Sequence, residues 1–193
     1  MIDQDIIKLA SAYSLTRLKS RCIIKPDSLY LLENFLDPAL TSRVLNHLIK
    51  NNIDWQEEPK QYGSNRKKIN WEFNTPIEEL YNTINSLTDS INQIFNRNNK
   101  FLGITIWKDE AGYKIPKHTD NPVIDIAMQI YLTADPEIDA GTTFIVDNKN
   151  IKIPYKQNVG YLMDNTANIE HYMTGDIPDN HVRYSLYAIW SQP

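Results

Sequence analysis

Three side chains in the C-terminal half of the chain have the types and spacing of a metal site, and an arginine follows them. His118 and Asp120 stand at i and i+2 in the stretch GYKIPKHTDN. On a strand those two side chains point the same way. His171, far downstream, supplies a third donor. Two imidazoles and one carboxylate on one face of a metal leave the opposite positions open, a facial arrangement suited to iron(II). Arg183 follows His171 and is followed by Tyr184 and Ser185. A guanidinium is a planar fork that matches a carboxylate, and Ser185 shares its strand face at i+2.

The order of these residues, HTD then a distant His then RYS, resembles the 2-oxoglutarate and Fe(II)-dependent dioxygenase superfamily. The surrounding text, AMQIYLT, AGTTF, NVGYLMDN and RYSLYAIW, is similar to its prolyl-hydroxylase-like branch. The resemblance covers roughly residues 101–190, and more loosely LENFLDPALTSRVLNHL. One departure is informative: prolyl hydroxylases usually hold the cosubstrate tail with Lys, and this chain has Arg183.

The resemblance implies Fe(II) held by His118, Asp120 and His171. It implies 2-oxoglutarate with its distal carboxylate on Arg183 and Ser185, and Tyr113 and Tyr131 as further candidates for the cosubstrate pocket. The implied activity is hydroxylation of an unactivated C–H with O2, releasing succinate and CO2. The implied substrates are an amino-acid or peptidyl side chain or a small metabolite. Plainer alternatives stand beside each assignment. Arg183 could be a buried ion-pair residue serving an internal Asp such as Asp125 or Asp164, and the two tyrosines could simply pack. Zinc also takes three N/O ligands plus water, but zinc hydrolysis has no use for the Arg-x-Ser element. A non-catalytic, cupin-like ligand-binding barrel is the alternative of another class.

The elements that must position these groups follow from periodicity. Helical spacing of Ile6, Leu9, Ala10 and Tyr13 predicts a helix within 3–19. LYLLENF reads as a short strand. Asp37-Pro38 is a helix start, since Asp caps and Pro suits the first position, and Leu40, Val44, Leu45, Leu48 and Ile49 then form one stripe. Residues 54–74 read as a polar loop with short edge strands, and 56–73 either as a lid or as a plain surface connection anchored by its aromatics. Within it, Arg66-Lys67-Lys68 reads as a solvated face. Thr75-Pro76-Ile77-Glu78 is a capping box, opening one long helix through Phe95.

From 101 onward the pattern becomes eight short strands, at 101–108, 113–118, 123–133, 142–146, 151–155, 159–164, 169–173 and 182–190. The expected fold is α+β with a mainly β core, closed or sandwich-like; the resemblance makes it a double-stranded β-helix (jelly roll) with N-terminal helices on its outside. The expected organisation is one domain over 1–193, with 1–100 mostly helical support and lid, and 101–193 the core. Along 123–133, Ile124, Ile126, Met128, Ile130 and Leu132 share one face, and Asp125, Ala127, Gln129, Tyr131 and Thr133 the other. In a ligand-enclosing barrel that polar face turns inward.

Composition sets outer bounds. At 193 residues, 41% apolar and 23% charged, the chain has the make-up of a globular domain. A net charge of −4 gives no basic footprint for nucleic acid. No apolar run reaches the ~20 residues of a membrane span. Cys22 alone makes no intrachain disulfide. These readings predict a soluble, cytoplasmic protein.

Overall fold

The computed structural model describes residues 28–58 and 65–193. The helix expected within 3–19, and Cys22, lie outside them. Among the described residues, ten strands form two antiparallel sheets. The larger has seven strands: β1 (Leu29–Glu33), β2 (Gln56–Glu57), β3 (Arg66–Ile69), β4 (Lys100–Asp109), β5 (Ile126–Tyr131), β8 (Val159–Asp164) and β10 (Arg183–Ser191), in the order β1-β8-β5-β10-β4-β3-β2. The smaller has three, β6 (Thr142–Val146), β7 (Lys149–Ile153) and β9 (Glu170–Met173), in the order β7-β6-β9. This is the jelly roll expected of the sequence.

The alternation of side chains along a strand divides the large sheet into two chemically different faces. Ile126, Met128 and Ile130 of β5, Leu186, Ala188 and Trp190 of β10 and Ile104 and Ile106 of β4 pack with the helices in one core. Those helices are α1 (Pro38–Lys50), α2 (Pro76–Asn85) and α3 (Thr88–Phe95). Ala127 and Tyr131 of β5 and Tyr161 and Met163 of β8 join Phe144, Ile153 and Met173 of the small sheet in a second core. The polar face of β5 therefore does turn inward, and β5 is buried along its whole length.

Local chemistry explains the helix ends. The Asp37 carboxylate accepts from Leu40 N at 2.9 Å, and Pro38 opens α1. Thr75 accepts from Ile77 N at 3.2 Å, while Glu78 reaches back to Asn74 N at 2.7 Å.

Two expectations need correction. The long helix is two helices. At Ser86-Leu87 the hydrogen bonding tightens, with Leu87 N on Ile84 O, and Thr88 ties the turn to the sheet by accepting from Trp190 Nε1 at 3.1 Å. The stretch 113–118 is not a strand. Pro116 has no N–H for a ladder, and only His118 pairs, in an isolated bridge with His171. The loop at 54–74 does carry short strands, β2 and β3, which pair with each other and attach to β4. Of the stretch read as a lid, Arg66–Ile69 is thus part of the sheet, and Trp71 packs edge-on against Tyr81, 4.0 Å between centroids.

Candidate metal centre and anion pocket

His118 and His171 are joined backbone to backbone, His118 N to His171 O at 3.0 Å and His171 N to His118 O at 2.8 Å. This bridge links the β4–β5 connection to the small sheet. It places the two imidazoles 4.5 Å apart. Asp120, two residues on, completes a group whose donor atoms all lie within 4.8 Å of one another.

Each ring is fixed through its other nitrogen. His118 Nδ1 faces Pro116 O at 2.9 Å, and His171 Nδ1 faces Ile169 O at 3.2 Å. A carbonyl can only accept, so Nδ1 carries the proton and the Nε2 lone pair is aimed at the centre. Both Nε2 atoms stand 3.5 Å from Asp120 Oδ1. Three electron-rich atoms converging on one point suit a cation.

The electrostatics agree. Burial alone would raise the Asp120 carboxyl, but hydrogen bonds and charge from His118 and His171 outweigh it and hold the group well below the usual carboxylate range. Burial would lower the His118 imidazole, yet Asp120 and the Pro116 carbonyl raise it overall. The loop carrying Asp120 is tied down by Asn165, whose Nδ2 donates to Asn121 O at 2.9 Å and Ile124 O at 2.7 Å.

The triad opens into a cavity of about 510 Å³ whose lining includes Arg66, Trp107, Tyr113, Gln129, Tyr161, Arg183 and Tyr187. Within that lining Arg183 is buried and donates through Nε and Nη2 to Asp109 Oδ2, at 2.9 and 2.7 Å, and through Nη1 to Ala140 O. An internal carboxylate thus does serve Arg183. It is Asp109, directly across in the β4–β10 register, rather than Asp125 or Asp164.

The other expected anchor residues divide. Tyr113 lines the cavity with its hydroxyl buried and without a hydrogen-bond partner among the described residues. Tyr131 OH is engaged with Thr142 Oγ1 at 2.7 Å, and its ring lies 5.9 Å from Arg183 Cζ. Burial raises its phenol to about 12. Ser185 is buried beside them and accepts from Gln129 Nε2 at 3.2 Å.

Arg66 requires a correction. Its side chain does not belong to a solvated run; it is 10% exposed, paired with Asp109 and lodged over the Trp107 and Tyr113 rings. Trp107 also lines the cavity. Asp109, Asn165 and the bond from Tyr187 to Asp120 also went unassigned in the sequence. The strand face shared by Arg183, Ser185 and Tyr187 was the available signal for Tyr187; Arg66 and Asp109 become partners only through the β3–β4 register.

No family model matches the sequence, and no curated protein does. Solved structures match over nearly the whole chain. A prolyl-4-hydroxylase from Pseudomonas putida aligns with a TM-score of 0.72 at 11% identity, covering 95% of this chain and 99% of that one. A prolyl hydroxylase from Trichoplax adhaerens, in complex with a hypoxia inducible factor peptide fragment, aligns at 0.67 and 13%, covering 98% and 94%. The α-ketoglutarate-dependent epimerase SnoN of nogalamycin biosynthesis aligns at 0.66 and 12%, covering 94% and 82%. The chain has the double-stranded β-helix of the 2-oxoglutarate and Fe(II)-dependent oxygenases. Its architecture is similar to that of the prolyl hydroxylase structures, and it carries a His-Asp-His group that could hold a metal ion.

Proposed function

We propose that this chain is an Fe(II)- and 2-oxoglutarate-dependent dioxygenase. In the balanced reaction, a substrate C–H, O2 and 2-oxoglutarate give C–OH, succinate and CO2. The observation that carries the reading is the convergence of His118 Nε2, His171 Nε2 and Asp120 Oδ1 at the mouth of a cavity walled by arginine.

Iron(II) with 2-oxoglutarate, when bound, supplies the oxidising power to break an unactivated C–H bond. The protein's own part is orientation. The Pro116 and Ile169 carbonyls keep the Nδ1 protons in place, so both Nε2 atoms stay available as donors. The Tyr187 hydroxyl holds the second Asp120 oxygen. Arg183 supplies positive charge in the same cavity, for the distal carboxylate of the cosubstrate. Trp107, Ile115, Tyr172 and Met173 line the same cavity with apolar surface that excludes water.

The substrate class stays at an amino-acid or peptidyl side chain or a small metabolite. One structural neighbour is a prolyl hydroxylase in complex with a peptide fragment and another is an epimerase, so hydroxylation is the reading favoured by the prolyl hydroxylase matches and epimerisation its rival at the same centre. The test is anaerobic titration of the Fe(II)-loaded protein with 2-oxoglutarate, read as a visible charge-transfer absorption, followed by succinate release on admitting O2. A protein that takes up iron but gives neither signal is the ligand-binding barrel of the alternative reading.

A further inference from the structure

The cavity lining holds more positive charge around Asp109 than that carboxylate balances. Arg66, Asp109 and Arg183 stand directly opposite one another on three neighbouring strands, Arg66 against Asp109 in β3–β4 and Asp109 against Arg183 in β4–β10. Asp109 has no exposure to solvent. Its Oδ1 accepts from Arg66 Nε at 2.5 Å, and its Oδ2 accepts from Arg66 Nη2 at 3.0 Å and from Arg183 Nε and Nη2. Two guanidiniums therefore share one carboxylate and leave one positive charge over. Glu58, also on the cavity wall, does not compensate it, because Lys68 Nζ holds that carboxylate at 2.7 Å.

Uncompensated charge in a buried place is costly unless an anion completes it. Each guanidinium carries five N–H donors, and the bonds to Asp109 and Ala140 do not exhaust either set. Arg66 is also locked in place, its Cζ 4.4 Å from the Trp107 ring centroid and 4.2 Å from that of Tyr113. Tyr113, whose hydroxyl is buried and has no partner among the described residues, lines the same space. Such an orphaned donor beside surplus positive charge is what a carboxylate would satisfy.

We propose that Arg66, Arg183 and the Tyr113 hydroxyl form a two-arginine seat for the distal carboxylate of a 2-oxo dicarboxylic acid, with Asp109 holding the arginines in register while the seat is empty. The inference rests on the dioxygenase reading for the ligand's identity. Its new content is that Arg66 takes half of the anion and that Asp109 competes with it. Charge supports the match. A divalent metal against Asp120 leaves one positive charge, the arginine row leaves another, and a dianionic 2-oxo acid neutralises both.

The test is calorimetric titration of the zinc-loaded protein, inert toward O2, with 2-oxoglutarate. Its C5 methyl ester, which lacks the distal charge, serves as control. Arg66→Gln and Arg183→Gln should each weaken 2-oxoglutarate binding by about tenfold or more, leave zinc affinity unchanged, and lose most of the preference over the ester. Tyr113→Phe should weaken it severalfold without lowering the melting temperature of the free protein, since the hydroxyl has no internal partner to lose. Asp109→Asn should tighten it, an upward change that a purely structural carboxylate would not produce. Wild-type affinity in Arg66→Gln, with loss confined to Arg183→Gln, overturns the seat and leaves the dioxygenase reading standing. Should Arg66→Gln fail to fold, undiminished affinity in Tyr113→Phe overturns the seat instead. A wild-type protein that takes up zinc but no 2-oxoglutarate overturns both.

Discussion

The Tyr187 hydroxyl donates to Asp120 Oδ2 across 3.1 Å, while Oδ1 of the same carboxylate stands 3.5 Å from both imidazole Nε2 atoms. One oxygen is thereby committed to the protein and the other to the centre, so the carboxylate is set to bind a metal through a single oxygen. Burial, reinforced by the Asp120 charge, raises the Tyr187 phenol well above its ordinary range, so it remains a donor at any working pH. Tyr187→Phe should lower metal affinity by about ten- to a hundredfold, as loss of a ligand's outer hydrogen bond does elsewhere. Competition against a chromophoric chelator measures it, and an affinity equal to wild type would show the bond to be incidental.

Removing the donors themselves should act more completely. His118→Ala, Asp120→Ala and His171→Ala are each expected to abolish stoichiometric Fe(II) binding and 2-oxoglutarate-dependent O2 consumption. Circular dichroism should show the fold retained. Turnover surviving in one variant would remove that residue from the triad.

Asp109 predicts an acid limb. Burial alone would raise its carboxyl, but the charges and hydrogen bonds of Arg66 and Arg183 outweigh it and depress the folded value. A depressed value means stability that is fully present above the unfolded carboxyl's ~3.9 and lost as pH falls through the lower folded value. The wild-type melting temperature should owe no decline to Asp109 between pH 7 and about pH 4, and fall below that. Asp109→Asn should lose about 3–5 kcal/mol at pH 7 by uncovering two buried guanidiniums and show a shallower acid limb. Denaturant titrations at a series of pH values check both; parallel acid limbs would refute the assignment.

Gly160 sets the separation of β8 and β5. A Cβ there would stand 1.8 Å from Gln129 O and 2.8 Å from Ile130 Cα, both backbone atoms that cannot swing aside. Gly160→Ala should destabilise by about 3 kcal/mol, at the upper end of overpacking costs. It should also disturb the Tyr161 OH to Gln129 Oε1 bond, 2.9 Å, in the cavity wall. A shift in the urea midpoint reads the first effect. A wild-type midpoint would mean the strands part more easily than the geometry allows.

The two-residue period of 123–133 and 182–190 revealed which side chains face the barrel interior, because both strands lie mid-sheet with different cores on their two faces. His118, Asp120 and His171 were legible as donors because their types are few and their order is distinctive. The helix break at Ser86-Leu87 was hidden because Ile84, Leu87 and Ile91 stay buried across it, so the apolar rhythm never falters. Arg66 was hidden for a different reason. A run of three basic residues has the composition of a surface, and its burial depends on Asp109, forty-three positions away. Turns were muted too. The described non-glycine residues with positive φ are eight asparagines and one aspartate, since Asn tolerates the left-handed region nearly as glycine does. Scattered asparagines therefore mark corners that a search for Gly and Pro passes over.

The paired backbones of His118 and His171 have a mechanical consequence. One belongs to the connection leaving the large sheet, the other to a strand of the small sheet, and two hydrogen bonds rivet them together. An ion held by both rings and Asp120 would be a third rivet in the same seam, closing a loop of more than fifty residues as a crosslink does. Occupancy of the centre is then also a measure of how firmly the two halves of the barrel are clasped.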